Sequence, residues 1–152
     1  MLSSRAKYAT RAILDLSQHY DHRPVQIHEI AERQNVPVKF LEQILLSLKR
    51  FGFVQSRKGP GGGYMLARPP HEITLGAVVR SMDGPLAPVS CVSITGYMEC
   101  GCPDPETCGL RAVWKEARDS LTAVLDGTTF ADIRDRQSSL EARQTEILDF
   151  VI

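Results

Sequence analysis

The chain has no apolar run approaching the roughly 20 residues that a membrane-spanning helix needs. Its opening stretch, MLSSRAKYATRAILDL, carries charges inside its apolar residues, which argues against a secretion signal. It has no surplus of either charge, with 18 Lys and Arg against 18 Asp and Glu. It has no internal repeat and no pair of cysteines spaced C-x-x-C, and none of its four histidines follows Cys91. These absences point to a cytoplasmic globular protein without a membrane partner, whose thiols stay reduced. In that compartment a cysteine cluster reads as metal-binding or redox-active before it reads as a disulfide framework. Outside the cysteines there is no constellation of acid, base and nucleophile, so neither an enzyme nor a small-molecule substrate is expected.

The zero net charge conceals a division. Residues 1–70 carry 11 Lys and Arg against 5 Asp and Glu, whereas residues 71–152 carry 7 against 13. A basic half suited to a polyanion is thus joined to an acidic half with another task.

In the basic half, Tyr8, Ala9, Ala12, Ile13, Leu16 and Tyr20 recur at helical spacing over residues 3–20, with Lys7, Arg11, Asp15 and Gln18 between them. VQIHEIAERQNV supplies a short second helix, with Asn35 as its breaker. Pro37 suits the first turn of a third helix over 37–50, which buries Leu41, Ile44, Leu45 and Leu48. Two short helices joined by a tight turn have the proportions of a helix-turn-helix. Then FVQSRKGPGGGYMLA alternates into and out of a glycine-rich tip, which predicts a β-hairpin wing with Arg57, Lys58 and Gly59 where the tip begins. The rival use of such glycines, a nucleotide-phosphate loop, requires a following Lys-Ser/Thr and a helix; neither is present.

ITLGAVVRSMDG predicts a fourth helix capped by Thr74, and PLAPVS leads into the thiols. From Gly109 a broad apolar stripe runs through Leu110, Val113, Trp114, Ala117, Leu121, Val124 and Leu125 to a stop at Gly127. A helix-turn-helix commonly reads two half-sites as a dimer, so this stripe is expected to pair with its copy in a second subunit.

The cysteines fall as C-x8-C-x-C-x5-C: Cys91, Cys100, Cys102 and Cys108. Structural zinc favours C-x-x-C pairs or nearby histidine, whereas iron–sulfur clusters accept more varied thiolate spacings. The spacing therefore favours an iron–sulfur cluster, with zinc and plain redox thiols left open.

The run IHEIAERQNVPVKFLEQILLSLKRFGFVQSRKGPGGGYMLARPPHEITLGAVV resembles the winged-helix regulators of the IscR and NsrR type, the Rrf-two family. So does CPDPETCGLRAVWKEARDSLTAVLDGTTFADI, and the likeness spans roughly residues 1–135. The resemblance implies a homodimeric bacterial transcription factor. It also implies a [2Fe–2S] or [4Fe–4S] cluster reporting iron–sulfur status, redox state or nitric oxide. The family's cysteine pattern maps onto Cys91, Cys102 and Cys108, its helix contacts to double-stranded operator DNA onto Lys39, Phe40, Glu42 and Gln43, and its wing contact onto Arg57 or Lys58. The IscR type has a histidine ligand three residues after the last cysteine; here Arg111 stands there. The NsrR type borrows an acidic residue from its partner's first helix; the nearest equivalent here is Lys7. Cys100 becomes the candidate fourth ligand, with Glu106 or a group from the other subunit as fallback.

The expected architecture is mainly α with a small β-hairpin: a winged helix-turn-helix plus a long C-terminal dimerisation helix. Residues 1–83 would form the DNA-binding domain and 84–108 the cysteine-rich loop. Residues 109–135 would be the dimerisation helix with a short following segment, and 136–152 a tail, helical or disordered.

Overall fold

A computed structural model describes residues 2–151. The chain folds as α1 (Ser4–Gln18), α2 (Ile27–Gln34), α3 (Val38–Arg50), β1 (Val54–Arg57), β2 (Gly63–Leu66), α4 (Leu75–Asp83), α5 (Gly109–Asp126) and α6 (Phe130–Val151), with short 3-10 turns at Pro70–Glu72 and Ser90–Val92. The expected winged helix-turn-helix followed by a long helix is what forms. None of the described helices is long and apolar enough to cross a membrane.

Each helix of the head is stopped and started by its own residues. Ser3 caps α1 by accepting from the Ala6 amide, and Thr74 caps α4 by accepting from the Ala77 amide, as its sequence predicts. Asn35 ends α2 in the left-handed conformation at φ 50°, with its N–H donating back to Ala31 and Glu32. Pro37 is the cap of α3 and not part of its first turn. The four leucine and isoleucine positions expected to face inward from α3 are all buried, against Ile13 and Leu16 of α1 and Ile30 of α2.

Asp15 departs from its expected place among the polar positions of the first helix. It is fully buried, and its carboxylate accepts from Arg33 Nε at 2.9 Å, Arg33 Nη2 at 2.8 Å and Gln34 Nε2 at 3.1 Å. The cause is α2, which crosses α1 there and encloses the carboxylate while supplying its donors.

The hairpin pairs Val54 with Leu66 and Arg57 with Gly63. Val25, expected within the second helix, instead bridges Tyr64 in extended conformation, with hydrogen bonds of 2.8 and 2.7 Å between their backbones. This third line of pairing fastens the wing to the start of α2. It requires glycine at position 63, where φ is +148° and a Cβ would strike the Val25 carbonyl.

The core also reaches past residue 83. Phe130, at the start of α6, is buried to 1% exposure within the core of the first four helices. Its N–H donates to Ile73 O at 2.9 Å, and the Leu75 N–H donates to Thr128 O at 2.9 Å. Residues 84–127 are therefore an excursion that leaves the head and returns to it. Residues 136–151, expected as helix or tail, continue α6 without a break.

Candidate functional site

On the head, Lys39, Glu42 and Gln43 lie exposed on α3, and Leu46 and Arg50 extend the same outward row by helical spacing. Phe40 is exposed as well, although its ring meets Tyr8 edge-on at 5.6 Å, and the Arg11 guanidinium lies 5.6 Å from Tyr8. The first strand of the wing is tied to α3 by Lys49, whose ammonium donates to Ser56 Oγ at 2.6 Å. Arg57 ends β1, and Lys58 and Gly59 begin the turn; all three are exposed. The cationic residues named from the sequence are thus free to meet an anionic surface, and Phe40 stays exposed beside them with one edge against Tyr8.

The four cysteines are free thiols on the excursion between α4 and α5. Cys91 sits in the Ser90–Val92 turn, Cys100 and Cys102 in irregular backbone, and Cys108 caps α5, its sulfur accepting from the Arg111 N–H at 3.4 Å. Cys102 is exposed and the other three are half-buried. Partial burial pushes the Cys91 thiol up, with its neighbour Cys100 adding to the effect. The Cys102 amide, and then its thiol, pull the Cys100 thiol down, and Cys102 rises in exchange. Cys100 thus acts on both Cys91 and Cys102. Among the described residues, no three His, Cys, Asp or Glu side chains converge as a ready metal cage.

The donor set nonetheless fits an iron–sulfide core, since four thiols lie within one loop and no histidine competes with them. The loop has few backbone hydrogen bonds among the described residues: Ala87 to Pro85, Val92 to Val89, and Ser93 and Met98 to Ser90. Drawing its thiols together would break little regular structure.

Arg111, at the position of the IscR-type histidine, is a clasp in this chain. It donates to Cys91 O at 3.4 Å, Pro105 O at 3.2 Å and Glu106 Oε1 at 3.2 Å. Two turns further along, Arg118 donates to Val92 O and pairs with Asp119. Two arginines of α5 thus hold the segment that carries Cys91. Sequence reading missed this role, although Arg111, Lys115 and Arg118 recur at helical spacing and share a face. At the far end of α5, Asp126 forms a two-pronged pair with Arg80 of α4, at 2.6 and 2.7 Å. Gly76 makes room, because a Cβ there would strike the Asp126 carboxylate. That pairing holds the Asp126 carboxyl below its usual range.

Among the described residues nothing covers most of the apolar stripe of α5; only Leu125 is half-buried. Leu110, Val113, Trp114, Leu121 and Val124 are between 41% and 71% exposed, Ala117 is exposed, and α5 has no buried residue.

Residues 2–136 match the Rrf2 family, described as an iron-dependent transcriptional regulator. The rrf2-like HTH-type regulator of Rhodobacter capsulatus is 37% identical over 137 residues, covering 88% of this chain and 91% of that protein. Among solved structures, CymR, the global cysteine regulator of B. subtilis, superposes with a TM-score of 0.77 at 29% identity, covering 90% of this chain and 97% of that one. IscR of T. potens superposes with a TM-score of 0.71 at 31% identity, covering 90% and 88%. With a winged head, a cysteine loop and a long following helix matched over nearly the whole length, the chain belongs to the Rrf2 family of transcriptional regulators.

Proposed function

We propose that this protein is a homodimeric, cytoplasmic regulator that binds operator DNA and responds to iron–sulfur, redox or nitric oxide status through a cysteine-ligated cluster. The observation that carries the reading is the thiol loop gripped by Arg111 and Arg118, between the head and the exposed apolar face of α5. Cys91, Cys102 and Cys108 hold the cluster, with Cys100 as fourth ligand. When bound, the cluster supplies a centre whose charge and integrity respond to electrons and to nitric oxide. Lys39, Glu42 and Gln43 enter the major groove, where the Glu42 carboxylate accepts from a cytosine amino group and repels phosphate elsewhere. Arg57, Lys58 and Gly59 place the wing tip against the backbone and minor groove. Leu110, Val113, Trp114, Ala117, Leu121 and Val124 pair with the second subunit. A shift of the Cys91 segment pulls on α5 through the two arginines. The Asp126–Arg80 pair passes that displacement to α4 and so changes the spacing of the two heads.

Anaerobic purification with an iron and acid-labile sulfide count tests the reading. The wild type should absorb in the visible range, Cys102→Ala and Cys108→Ala should not, and the wild type's operator affinity should change when the cluster is removed. Colourless, zinc-containing protein would replace the sensor with a structural metal. The second reading is a cluster-free regulator whose thiols or a partner act as effector. The likeness to CymR, a global cysteine regulator, supports it. Iron-free protein whose DNA affinity is the same with and without its thiols would refute the sensor reading.

A further inference from the structure

Beside the thiols lies a cleft of about 440 Å³, lined by Cys91, Tyr97, Cys108, Arg111, Lys115 and Arg118 among others. Its charge runs against its surroundings. Residues 71–152 carry only 7 Lys and Arg against 13 acids, yet three of those cations face this one cleft, and Glu106 is its only acidic lining residue among the described residues. Two of these cations have acidic partners, but water screens both pairings: the Glu106 side chain on Arg111 is 86% exposed and the Asp119 side chain on Arg118 is 55% exposed. Cations at i, i+4 and i+7 on one helix face repel one another and oppose the helix. Arg111 and Arg118 have structural employment on main-chain carbonyls. Lys115 is exposed, lines the cleft and forms no salt bridge among the described residues.

We propose that Lys115, with Arg111 and Arg118, forms an electropositive wall that sets the redox poise of the centre held by the thiols, favouring its reduced form. The inference rests on the cluster reading above. A thiolate-ligated iron–sulfide centre is anionic, and each electron it takes up adds one negative charge, so nearby fixed cations raise its potential. One electron from a chemical reductant enters the site, and no bond to Lys115 forms or breaks. Lys115 is a positioning charge and not a ligand.

The test is an anaerobic redox titration of full-length wild type, Lys115→Arg, Lys115→Ala and Lys115→Glu, followed by visible absorbance, with iron and sulfide counted in each. The expected result is equal cluster content and a wild-type-like potential in Lys115→Arg. Lys115→Ala should shift to a more negative potential and Lys115→Glu further still, both shifts shrinking as salt is raised. Identical potentials in all four proteins at equal iron content would overturn this inference and leave the cluster reading intact. A wild type without iron and sulfide would overturn both together.

Discussion

Removing the Asp15 carboxylate tests how the first two helices are joined. Its side chain is fully buried and accepts three hydrogen bonds from Arg33 and Gln34, whereas Arg33 is 38% exposed. Breaking a buried charge pair costs about 3–5 kcal/mol. Asp15→Ala leaves a guanidinium that already reaches water, so the lower end, about 3 kcal/mol, is expected. For a chain of this length that corresponds to a fall in melting temperature of about 6–12 °C. Arg33→Ala should cost at least as much, because the charge left behind is the enclosed one. Urea unfolding of both single variants and the double variant measures the costs and their coupling. Arg33→Ala proving cheaper than Asp15→Ala, or both costing below about 1 kcal/mol as an exposed pair would, refutes the reasoning.

Two further outcomes are expected. Lys58→Ala should weaken binding to all DNA sequences and flatten the dependence of log affinity on log salt by about 1 per protomer, measured by fluorescence anisotropy; an unchanged slope would take the wing off the phosphates. Glu29 is held down to about 2 by hydrogen bonds from Arg23 and the Gln26 N–H. Its folded value lies below its unfolded value, so its stabilising effect is complete above the unfolded value of about 4.3. That effect is lost as pH falls through about 2, and Glu29→Gln should flatten the acid limb of a urea-midpoint-versus-pH curve; an NMR midpoint near 4 for Glu29 would contradict this.

Much of the fold was legible because its signals are local. Leucine and isoleucine spacing marked α3, glycines marked the wing, and Thr74 and Gly127 marked the cap and stop they form. What escaped depends on elements distant in sequence. Asp15 looks like a solvent-facing residue until α2 covers it, and Val25 looks helical until Tyr64 pairs with it. Phe130 carries no local sign that it returns to a core built from residues far earlier in the chain. At the site, the thiols and the apolar stripe of α5 were readable as types and periods. The carbonyls of Cys91 and Val92 that occupy Arg111 and Arg118 were not, because a main-chain acceptor leaves no trace in residue identity.

The return of Phe130 has a consequence for how the protein is made. The reading head cannot finish folding until the ribosome has released a segment some 50 residues beyond its last early helix, by which time every cysteine has already been synthesised. A chain broken off after α4 would lack the ring that completes its core and should be more open to proteolysis than the full chain. The two ends of the cysteine-bearing excursion thus meet at the head, where the Phe130 ring and the backbone bonds of Phe130 to Ile73 and of Leu75 to Thr128 join residues made far apart in time.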